Sequence, residues 1–422
     1  MLLLITLFLI IGFGEWLFPK FIGKLPLRLY GLIDKDLRIL AQSSKNNLLP
    51  KGYIALTGDS YAVGAGDWLN EVKKNNFFGS PDYSPAHLIF KKTGIDVVSF
   101  GQSGAGSFDG IWSEPITQFL YINSTRNYRL PPPKYFLIFF YEGNDVYDNI
   151  QFVNENLKPT EKEIGKKYRT NRYQNFLNTE FKKVLDQKFD KSFWRDMLFT
   201  RSIFQGTLNL FKEWAPSKKI SEANNLYPKS MQEGDVAASL INGEQIQLNV
   251  ALMNGKKIGL PSHLQGPPLF GYTFFEEKVG LTDKSVSGAV DIFRQALVQL
   301  NNFFPQSEIK IVFIPSTLSS YKIISSNVHY RGFMQGPNII ETATIEQSHT
   351  RLCGAIKQVA VDHDFSFVNI TKSIRLASSV EFMHGPLDWD HFNKRGYHVL
   401  SDHLAKLFLQ QEKKVRVDDC YY

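Results

Sequence analysis

Three residues near opposite ends of the chain have side chains that could together carry out acyl transfer. Ser60 lies in a Gly-Asp-Ser-Tyr run close after an expected strand, and His391 lies in Asp-Trp-Asp-His before an expected helix. A serine hydroxyl attacks when a histidine takes its proton and a carboxylate orients that histidine. Asp388 precedes His391 by three residues, a spacing that lets them face each other on a tight turn, with Asp390 as the alternative. We therefore predict Ser60, His391 and Asp388 as catalytic residues.

Residues between these two stretches could bind the oxyanion that forms on the substrate. Asn144 offers a side-chain amide, and Gly104 and Ser60 offer backbone N–H groups, the donor types that stabilise a tetrahedral intermediate. Gly101 and Gly106 are alternatives to Gly104. Each residue also has a common structural role, since serine caps helices, asparagine forms turns and glycine permits tight loops.

The order of these residues resembles that of the SGNH (GDSL-type) hydrolases, named for a serine, a glycine, an asparagine and a histidine in four sequence blocks. The four would be Ser60, Gly104, Asn144 and His391. The last block, Asp-x-x-His-x-Asn-x-x-Gly, is present without a gap, whereas Ser99 stands in the second block where Asn is common. The resemblance covers roughly residues 50–145 and 290–411. It implies a serine esterase and, among membrane-linked members, enzymes that acetylate surface polysaccharides.

Other chemistries have weaker support. The Gly-Ala-Gly-Ser-Phe-Asp-Gly run that starts at Gly104 has its third glycine one residue too late for a dinucleotide loop. The nucleophile elbow of α/β-hydrolases needs several strands upstream of its serine, and here at most one precedes Ser60. No metal-ligand spacing or nucleic-acid motif is present, so we expect no cofactor, no metal and no nucleic-acid partner. His384, without a carboxylate at comparable spacing, is expected to be structural.

Five apolar, β-branched or aromatic runs predict buried strands. They are Tyr53–Thr57, Ile95–Phe100, Tyr135–Tyr141, Ile309–Ile314 and Phe365–Ile370. Because helical periodicity lies between several of them, we predict a three-layer α/β/α sandwich around a five-stranded, mainly parallel sheet, flavodoxin-like in the SGNH manner. Ligands bind beyond the carboxyl ends of such strands, where Ser60, Gly104 and Asn144 would lie.

The expected organisation has five parts. They are a membrane anchor or signal segment (1–18), a helical lead-in (19–50), the hydrolase domain (51–150 and 286–411), an insertion (151–285) and a tail (412–422). Asn-Gly turns and alternating apolar residues predict a small β-meander in the insertion. Residues 151–220 hold 15 Lys/Arg against 8 Asp/Glu, the whole net charge of +7. This segment could attract an anionic glycan or a membrane surface, or it could be a solvated helical face. With Trp194 and Trp214, which could stack on sugars, we expect the insertion to set substrate choice.

The first 13 residues are apolar without a break, and the run continues to Phe18 with only Glu15 interrupting it. This length lies between a signal-peptide core and a membrane span. The basic residues that follow favour a cytoplasmic domain by the positive-inside rule, whereas the family resemblance favours export. We expect a membrane-anchored or exported protein on the extracytoplasmic side.

The chain has two cysteines, Cys353 on an apparent helix and Cys420 in the tail. We interpret them as a buried thiol and a free thiol rather than as a disulfide, which leaves the redox compartment open.

The expected function is hydrolysis of O-acyl esters, chiefly O-acetyl esters, through an acyl-enzyme. The first alternative is an O-acyltransferase that moves acetyl groups onto a surface polysaccharide and takes them from a membrane-bound donor partner. A second alternative is an inactive, carbohydrate-binding module on the same scaffold.

Overall fold

The computed structural model describes residues 1–25, 33, 35–74, 84–125, 128–157, 171–189, 193–214, 238–241, 244–262, 264–270, 283–332, 338–409 and 415–420. The strands in these ranges are β1 (Ile54–Thr57), β2 (Val97–Ser99), β3 (Tyr135–Tyr141), β4 (Ala238–Ile241), β5 (Glu244–Gln247), β6 (Val250–Met253), β7 (Lys256–Gly259), β8 (Leu264–Gln265), β9 (Glu308–Ile314), β10 (Asn327–Arg331), β11 (Asn338–Glu341) and β12 (Ser366–Asn369). The α-helices are α1 (Leu2–Phe21), α2 (Ser60–Val63), α3 (Asp67–Lys74), α4 (Pro85–Thr93), α5 (Glu114–Ser124), α6 (Asp145–Asn156), α7 (Asn171–Leu185), α8 (Leu198–Trp214), α9 (Asp283–Phe303), α10 (Thr342–Asp362), α11 (Thr371–Ser378) and α12 (Lys394–Leu409).

A parallel sheet of five strands, in the order β12-β9-β3-β1-β2, is central to the described part of the chain. Its strands lie on the five predicted apolar runs. Because side chains alternate between faces along a strand, Phe136 and Ile138 of β3 enter one hydrophobic core, and Leu137 and Phe139 enter the other. Helices α5, α6, α9 and α10 contribute to the first core, and α4, α11 and α12 to the second. The predicted three-layer α/β/α sandwich is confirmed.

The strand order places two predicted site residues at one crevice. The chain passes from β1 outward to β2 and then returns to the other side of β1 as β3. Such a reversal opens a crevice at the carboxyl ends of the two central strands. Ser60 follows β1 and Asn144 follows β3, so both lie at that crevice.

One edge of the sheet is covered by the lead-in segment. The Gln42 side chain donates to the Ser99 carbonyl of β2 at 2.6 Å and accepts from the Ser99 N–H at 2.7 Å. The Val97 N–H donates to the Ser44 carbonyl at 2.8 Å. These bonds satisfy the backbone groups that an edge strand otherwise leaves open.

The C-terminal segment covers the opposite edge and corrects our interpretation of the cysteines. Cys353 of α10 and Cys420 form a disulfide, with their Cα atoms 5.8 Å apart. The segment returns along β12, where the Phe367 N–H donates to the Arg416 carbonyl at 2.7 Å and the Asp418 N–H donates to the Phe367 carbonyl at 3.0 Å. This backbone pairing brings Cys420 back to α10, and no spacing in the sequence reveals such a long-range return.

The expected insertion shares its ends and its helices with the main body. Helix α6 continues to Asn156 and α9 begins at Asp283, so both expected boundaries fall inside helices. Helix α7 places Tyr173, Leu177 and Phe181 in the core on one face of the sheet. The lysine-rich residues 158–170 and the side chain of Trp214 lie outside the described residues.

Two separate hairpins, β4–β5 and β6–β7, replace the expected meander. Asn249 lies between them with a φ of 52°, which interrupts the strand, and its side chain accepts from the His329 N–H at 2.7 Å. Strand β8 pairs with β10 and β10 with β11, and these strands enclose a third, smaller core. Trp389, from the predicted catalytic stretch, packs against this core.

Helix α1 is long and apolar enough to cross a membrane or to act as a signal anchor. Its 20 residues measure about 30 Å, the thickness of a bilayer's hydrocarbon region. Of its residues only Gly14 is buried. The expected N-terminal membrane segment therefore forms a helix of suitable length.

Candidate active site

Ser60 is presented by a sharp turn at the end of β1. Gly58 has a φ of +136°, and a Cβ there would lie 2.9 Å from the Phe139 carbonyl oxygen, so the turn requires glycine. The Asp59 side chain accepts from the Tyr61 N–H at 2.9 Å and so caps α2. Ser60 is the first residue of α2, and no carbonyl of that helix can accept its N–H. Its N–H group therefore has no acceptor within α2 and stays a predicted donor to the oxyanion.

The stretch from Asp388 to His391 forms a tight turn in which one carboxylate holds three N–H groups. The Asp388 Oδ1 accepts from the backbone N–H of Asp390 at 2.9 Å and from that of His391 at 3.1 Å. Its Oδ2 lies 2.8 Å from His391 Nδ1. The i, i+3 spacing thus brings the two side chains face to face.

A continuous relay of hydrogen bonds joins this turn to the serine. His391 Nε2 lies 2.8 Å from Ser60 Oγ. Because the Asp388 carboxylate accepts a hydrogen bond from Nδ1–H, the free electron pair of the ring lies on Nε2 and can accept the serine proton. The side chains of His391 and Asp388 each keep 17% of their surface exposed. The three predicted residues therefore form a connected unit that a substrate can reach.

The electrostatics of the relay favour a charged histidine beside an ionised carboxylate. Burial alone would lower the pKa of His391, but the hydrogen bond and charge of Asp388 outweigh it, and Asp390 and Asp59 add to them, so that the pKa of His391 is raised. Burial would raise the pKa of Asp388, but its bond to His391 and its backbone donors lower the pKa overall. Both shifts stabilise the imidazolium that forms when Ser60 gives up its proton.

Side chains from neighbouring elements contact the turn from Asp388 to His391, which we call the catalytic turn because it carries the predicted catalytic residues. The Asp390 carbonyl accepts from the hydroxyls of Tyr61 at 2.8 Å and Tyr141 at 3.3 Å. The Thr317 hydroxyl donates to the Trp389 carbonyl at 2.7 Å. Arg331 of β10 forms an ion pair with the Asp390 carboxylate. The smaller sheet therefore helps to position His391.

The structure separates the two candidate carboxylates and describes the competing histidine. Asp388 contacts the His391 ring, whereas Asp390 pairs with Arg331. His384 is fully buried, and burial lowers its pKa to about 3, so it is neutral. Its Nδ1 lies 3.3 Å from the Tyr321 hydroxyl. Asp388 is therefore the carboxylate in position to orient His391, and His384 has structural partners.

Asn144 is at the N-terminal end of α6 but does not cap that helix with its side chain. Its Nδ2 donates to Asp148 Oδ2 at 2.9 Å, and an amide nitrogen carries a second hydrogen. Burial raises the pKa of Asp59, and a hydrogen bond from the Asn144 side chain offsets a small part of that rise, so the amide lies beside the residue that precedes Ser60. The structure therefore brings Asn144 to the nucleophile end of the relay, where we predicted an oxyanion donor.

The loop after β2 separates the three candidate glycines. Gly104 is exposed in a turn closed by the Ala105 N–H and the Gln102 carbonyl at 3.3 Å, with a φ of +73°. A Cβ on Gly101 would lie 2.6 Å from that of Ala62 in α2, and a Cβ on Gly106 would lie 2.9 Å from Asn149 Oδ1. Gly101 and Gly106 thus permit close packing, and Gly104 stays the predicted backbone donor.

The departure at Ser99 has a structural account. The Ser99 hydroxyl donates to the Ala62 carbonyl at 2.9 Å and accepts from the Gly101 N–H at 3.3 Å. It thereby joins the end of β2 to α2, directly behind the turn that presents Ser60.

Three buried carboxylates lie near the turn that presents Ser60, namely those of Asp59, Asp145 and Asp148. The sequence analysis assigned none of them a role. Asp59 Oδ2 lies 3.4 Å from Ser60 Oγ. Burial raises the pKa of Asp59, raises that of Asp148 to about 8 and raises that of Asp145 well above its usual range; the charge of Asp59 adds to the last two shifts. The position of Asp59 before a helix-opening serine was a capping signal. Asp145 and Asp148 have no comparable signal.

Arg331, Tyr61 and Thr317 also escaped prediction, because their contacts with the catalytic turn join distant parts of the chain. Among the described residues, no group of three or more His, Cys, Asp or Glu side chains could hold a metal ion. The arrangement as a whole offers an oriented base, a nucleophile and nearby N–H donors. In comparisons with known proteins, no family model, no curated protein and no solved structure matches the chain.

Proposed function

We propose that this chain is a serine ester hydrolase of the SGNH type that acts on O-acyl esters, O-acetyl esters in particular. One observation carries the proposal: Ser60 Oγ, His391 and Asp388 are joined by two hydrogen bonds of 2.8 Å each. The four sequence blocks and the all-parallel sheet agree with it. An intact relay of this kind also argues against an inactive carbohydrate-binding module.

The proposed reaction has two halves. In the first, Ser60 Oγ attacks the ester carbonyl carbon while His391 Nε2 takes the serine proton, and Asp388 stabilises the imidazolium. The N–H groups of Ser60, Gly104 and Asn144 hold the oxyanion. When the intermediate collapses, the alcohol leaves with the proton from His391 and an acyl-serine remains. In the second half, water loses a proton to His391 and attacks the acyl-serine, which releases the acid and restores Ser60.

We further propose that the domain works on the extracytoplasmic side of a membrane and that α1 anchors it there. Two observations support this location. Helix α1 is long enough to span a bilayer, and the disulfide between Cys353 and Cys420 is of the kind that persists in oxidising compartments. Protease accessibility from each side of sealed vesicles tests it, and a domain cleaved only from the cytoplasmic side would refute it.

Covalent labelling tests the proposed chemistry directly. The full chain in detergent should react with a serine-reactive phosphonate at Ser60 and cleave a short-chain chromogenic acetate ester. Ser60→Ala and His391→Ala should abolish cleavage. Ser373→Ala is a matched control, because the Ser373 hydroxyl also lies 2.7 Å from a histidine, His403 Nδ1. Wild-type protein that neither labels nor cleaves would favour the binding-module alternative.

We propose O-acyl transfer as a second candidate function, because a cavity of about 550 Å³ lies between the lead-in segment and the loop that follows β2. Gly101, Gln102 and Ser103 line it on the side of the predicted oxyanion loop, and Arg38, Trp68, Glu114 and Gln118 add polar and aromatic groups. Neither Ser60 nor His391 lines this cavity, so an acceptor sugar bound there would have to extend past Gln102 and Ser103 to receive the acyl group from Ser60 in place of water.

Product analysis separates the two reactions. With an acetylated donor, a transferase should acetylate an added oligosaccharide and release less acetate as the oligosaccharide concentration rises. If the acceptor is polyanionic, as the basic segment suggests, transfer should weaken at high salt through screening. Hydrolysis that is unaffected by any oligosaccharide would leave the esterase proposal alone.

A further inference from the structure

Helix α1 is joined to the rest of the chain through a partly buried polar contact with α8. The Glu15 carboxylate accepts from the backbone N–H groups of Phe199 at 3.1 Å and Thr200 at 2.8 Å, and from the Thr200 hydroxyl at 2.7 Å. Phe199 and Thr200 belong to the first turn of α8, whose N–H groups have no acceptor within the helix. Glu15 therefore caps α8 from a different helix.

Apolar packing surrounds this contact. A Cβ on Gly14 would lie 2.3 Å from the Phe199 ring, so the glycine allows the two helices to touch. The rings of Phe18 and Phe199 pack edge to face, with centroids 5.7 Å apart. Because these contacts join three positions of α1 to the start of α8, neither helix can enter a membrane without bringing the other to its surface.

The composition of α1 indicates how deep this contact lies. Trp16 is 60% exposed, and Lys20 Nζ lies 3.6 Å from the centroid of its ring. Tryptophan and lysine are typical of the membrane–water interface. From Leu2 to Lys20 the helix measures about 29 Å, close to the hydrocarbon thickness of about 30 Å. Glu15 is five residues before Lys20, or about 7 Å deeper. The start of α8 therefore lies about 7 Å inside the boundary of the hydrocarbon, a depth at which interfacial helices bury their apolar sides.

Large apolar side chains are exposed along α8 and the short 3₁₀ helix Phe193–Asp196 that precedes it. We call this set the α8 surface; its exposed fractions are 68% for Phe193, 44% for Trp194, 54% for Ile203, 53% for Phe204 and 38% for Leu208. The rings of Trp194 and Phe204 pack edge to face at 5.7 Å. Phe204 and Leu208 are one turn apart and so lie on one side of the helix. Apolar groups clustered this way on a surface mark an interaction site.

We propose that the α8 surface contacts the lipid bilayer, so that α8 lies at the membrane interface beside the spanning helix α1. The lipid surface is the occupant that the structure favours, because the α8 surface continues from an exposed apolar helix of membrane length. The side of α8 opposite Phe204 faces protein: Ser202, two residues before Phe204, is 6% exposed, and Leu198, one turn before Ser202, is fully buried. With lipid on one side and protein on the other, α8 would fix the orientation of the domain over the membrane. This proposal depends on the membrane insertion of α1 and does not depend on the proposed reaction.

Spin labels on the full chain in phosphatidylcholine–phosphatidylglycerol nanodiscs test the proposal. A nitroxide would be attached to Phe204→Cys, and separately to Leu208→Cys in case one variant fails to fold. The native cysteines are in a disulfide and will not react. Phe13→Cys on α1 is the lipid reference, and Leu376→Cys, 74% exposed on α11, is the water reference. Accessibility to molecular oxygen, which partitions into lipid, is compared with accessibility to a nickel chelate, which stays in water.

We expect the labels at Phe204 and Leu208 to be accessible to oxygen and protected from the chelate, as at Phe13, whereas the label at Leu376 shows the reverse. Water-like accessibility at both α8 positions, with Phe13 in lipid, would overturn the proposal. Dipolar broadening between labels on two copies would also overturn it, in favour of a dimer through α8. A label at Phe13 that is itself in water would show that α1 is not inserted in the membrane. That result would also overturn the proposal, and it would leave the proposed ester cleavage unaffected.

Discussion

At the scale of single residues, the orientation of His391 depends on a carboxylate that also organises its own turn. Asp388 uses one oxygen for the ring and the other for two backbone N–H groups. The geometry of the turn and the tautomer of His391 are therefore set by the same side chain. Replacement of that carboxylate by an amide should affect catalysis far more than folding.

We expect Asp388→Asn to fold and to lose about 10³–10⁴-fold in kcat. The amide oxygen can still accept the backbone N–H groups, but the amide nitrogen then faces His391 Nδ1 and favours the tautomer with its proton on Nε2. That tautomer cannot take the Ser60 proton. Steady-state kinetics with a chromogenic ester measure the loss. Asp402 lies on α12 and forms an exposed ion pair with Lys92 of α4, so Asp402→Asn should leave kcat unchanged.

The pH profile should report the two charges beside the ring. Activity requires neutral His391, and its pKa is raised, so kcat/KM should increase with pH through a midpoint above 6.5. Asp390→Asn removes a negative charge that raises this pKa, and should move the midpoint down. Arg331→Gln removes the cation paired with Asp390 and should move it up. Two shifts of the same sign would mean that structural disruption, and not charge, causes them.

The contact between Asp388 and His391 could be predicted because the two residues are close in sequence. The residues that hold their turn could not, because they are far from it in sequence. Asp388 and His391 are three residues apart, and their strand and helix neighbours are clear in the apolar pattern. Arg331 and Thr317 act on the same turn from other elements, and no pattern links them to it. The part that Gly104 plays depends on the direction of one N–H group, which composition does not encode.

At the scale of secondary structure, the buried strands were predictable because they are long apolar runs that alternate with helices. The smaller sheet was not. Strand β8 has only two residues, and its partner β10 lies more than 60 residues further along the chain. The hydrogen bonds of Gln42 at the β2 edge could not be predicted either, because a single side chain, and not a strand, pairs with the backbone of Ser99.

The contact between α1 and α8 gives a prediction for helix stability. Glu15→Ala removes the acceptor of three hydrogen bonds at the start of α8 and should lower the free energy of unfolding by about 1–2 kcal/mol. Thermal unfolding of the full chain in nanodiscs measures the change. Glu155→Ala, on the exposed part of α6, serves as a control and should have a much smaller effect. Equal effects of the two variants would argue against the capping role.

At the scale of the whole molecule, the disulfide is a covalent cross-link between distant parts of the chain. It joins residues 67 positions apart and holds the C-terminal segment against β12. In the chain-entropy model a loop of this length contributes about 4 kcal/mol by restricting the unfolded state. We expect Cys353→Ser with Cys420→Ser to lower the melting temperature of the domain, as calorimetry would detect. Reduction should destabilise the wild type to a similar degree and leave the double variant unaffected. Unchanged melting after reduction would show that the bridge adds nothing.

The covered edges of the central sheet bear on how the protein behaves at high local concentration. Molecules tethered side by side in one membrane meet each other far more often than freely diffusing ones do. An open strand edge on each would be a template for strand exchange between neighbours. Gln42 and Ser44 block one such template, and residues 416–418 block the other. Because only the second block is secured by a covalent bond, we expect reduction to uncover β12 alone, so that crowded copies of the protein would pair through that single edge.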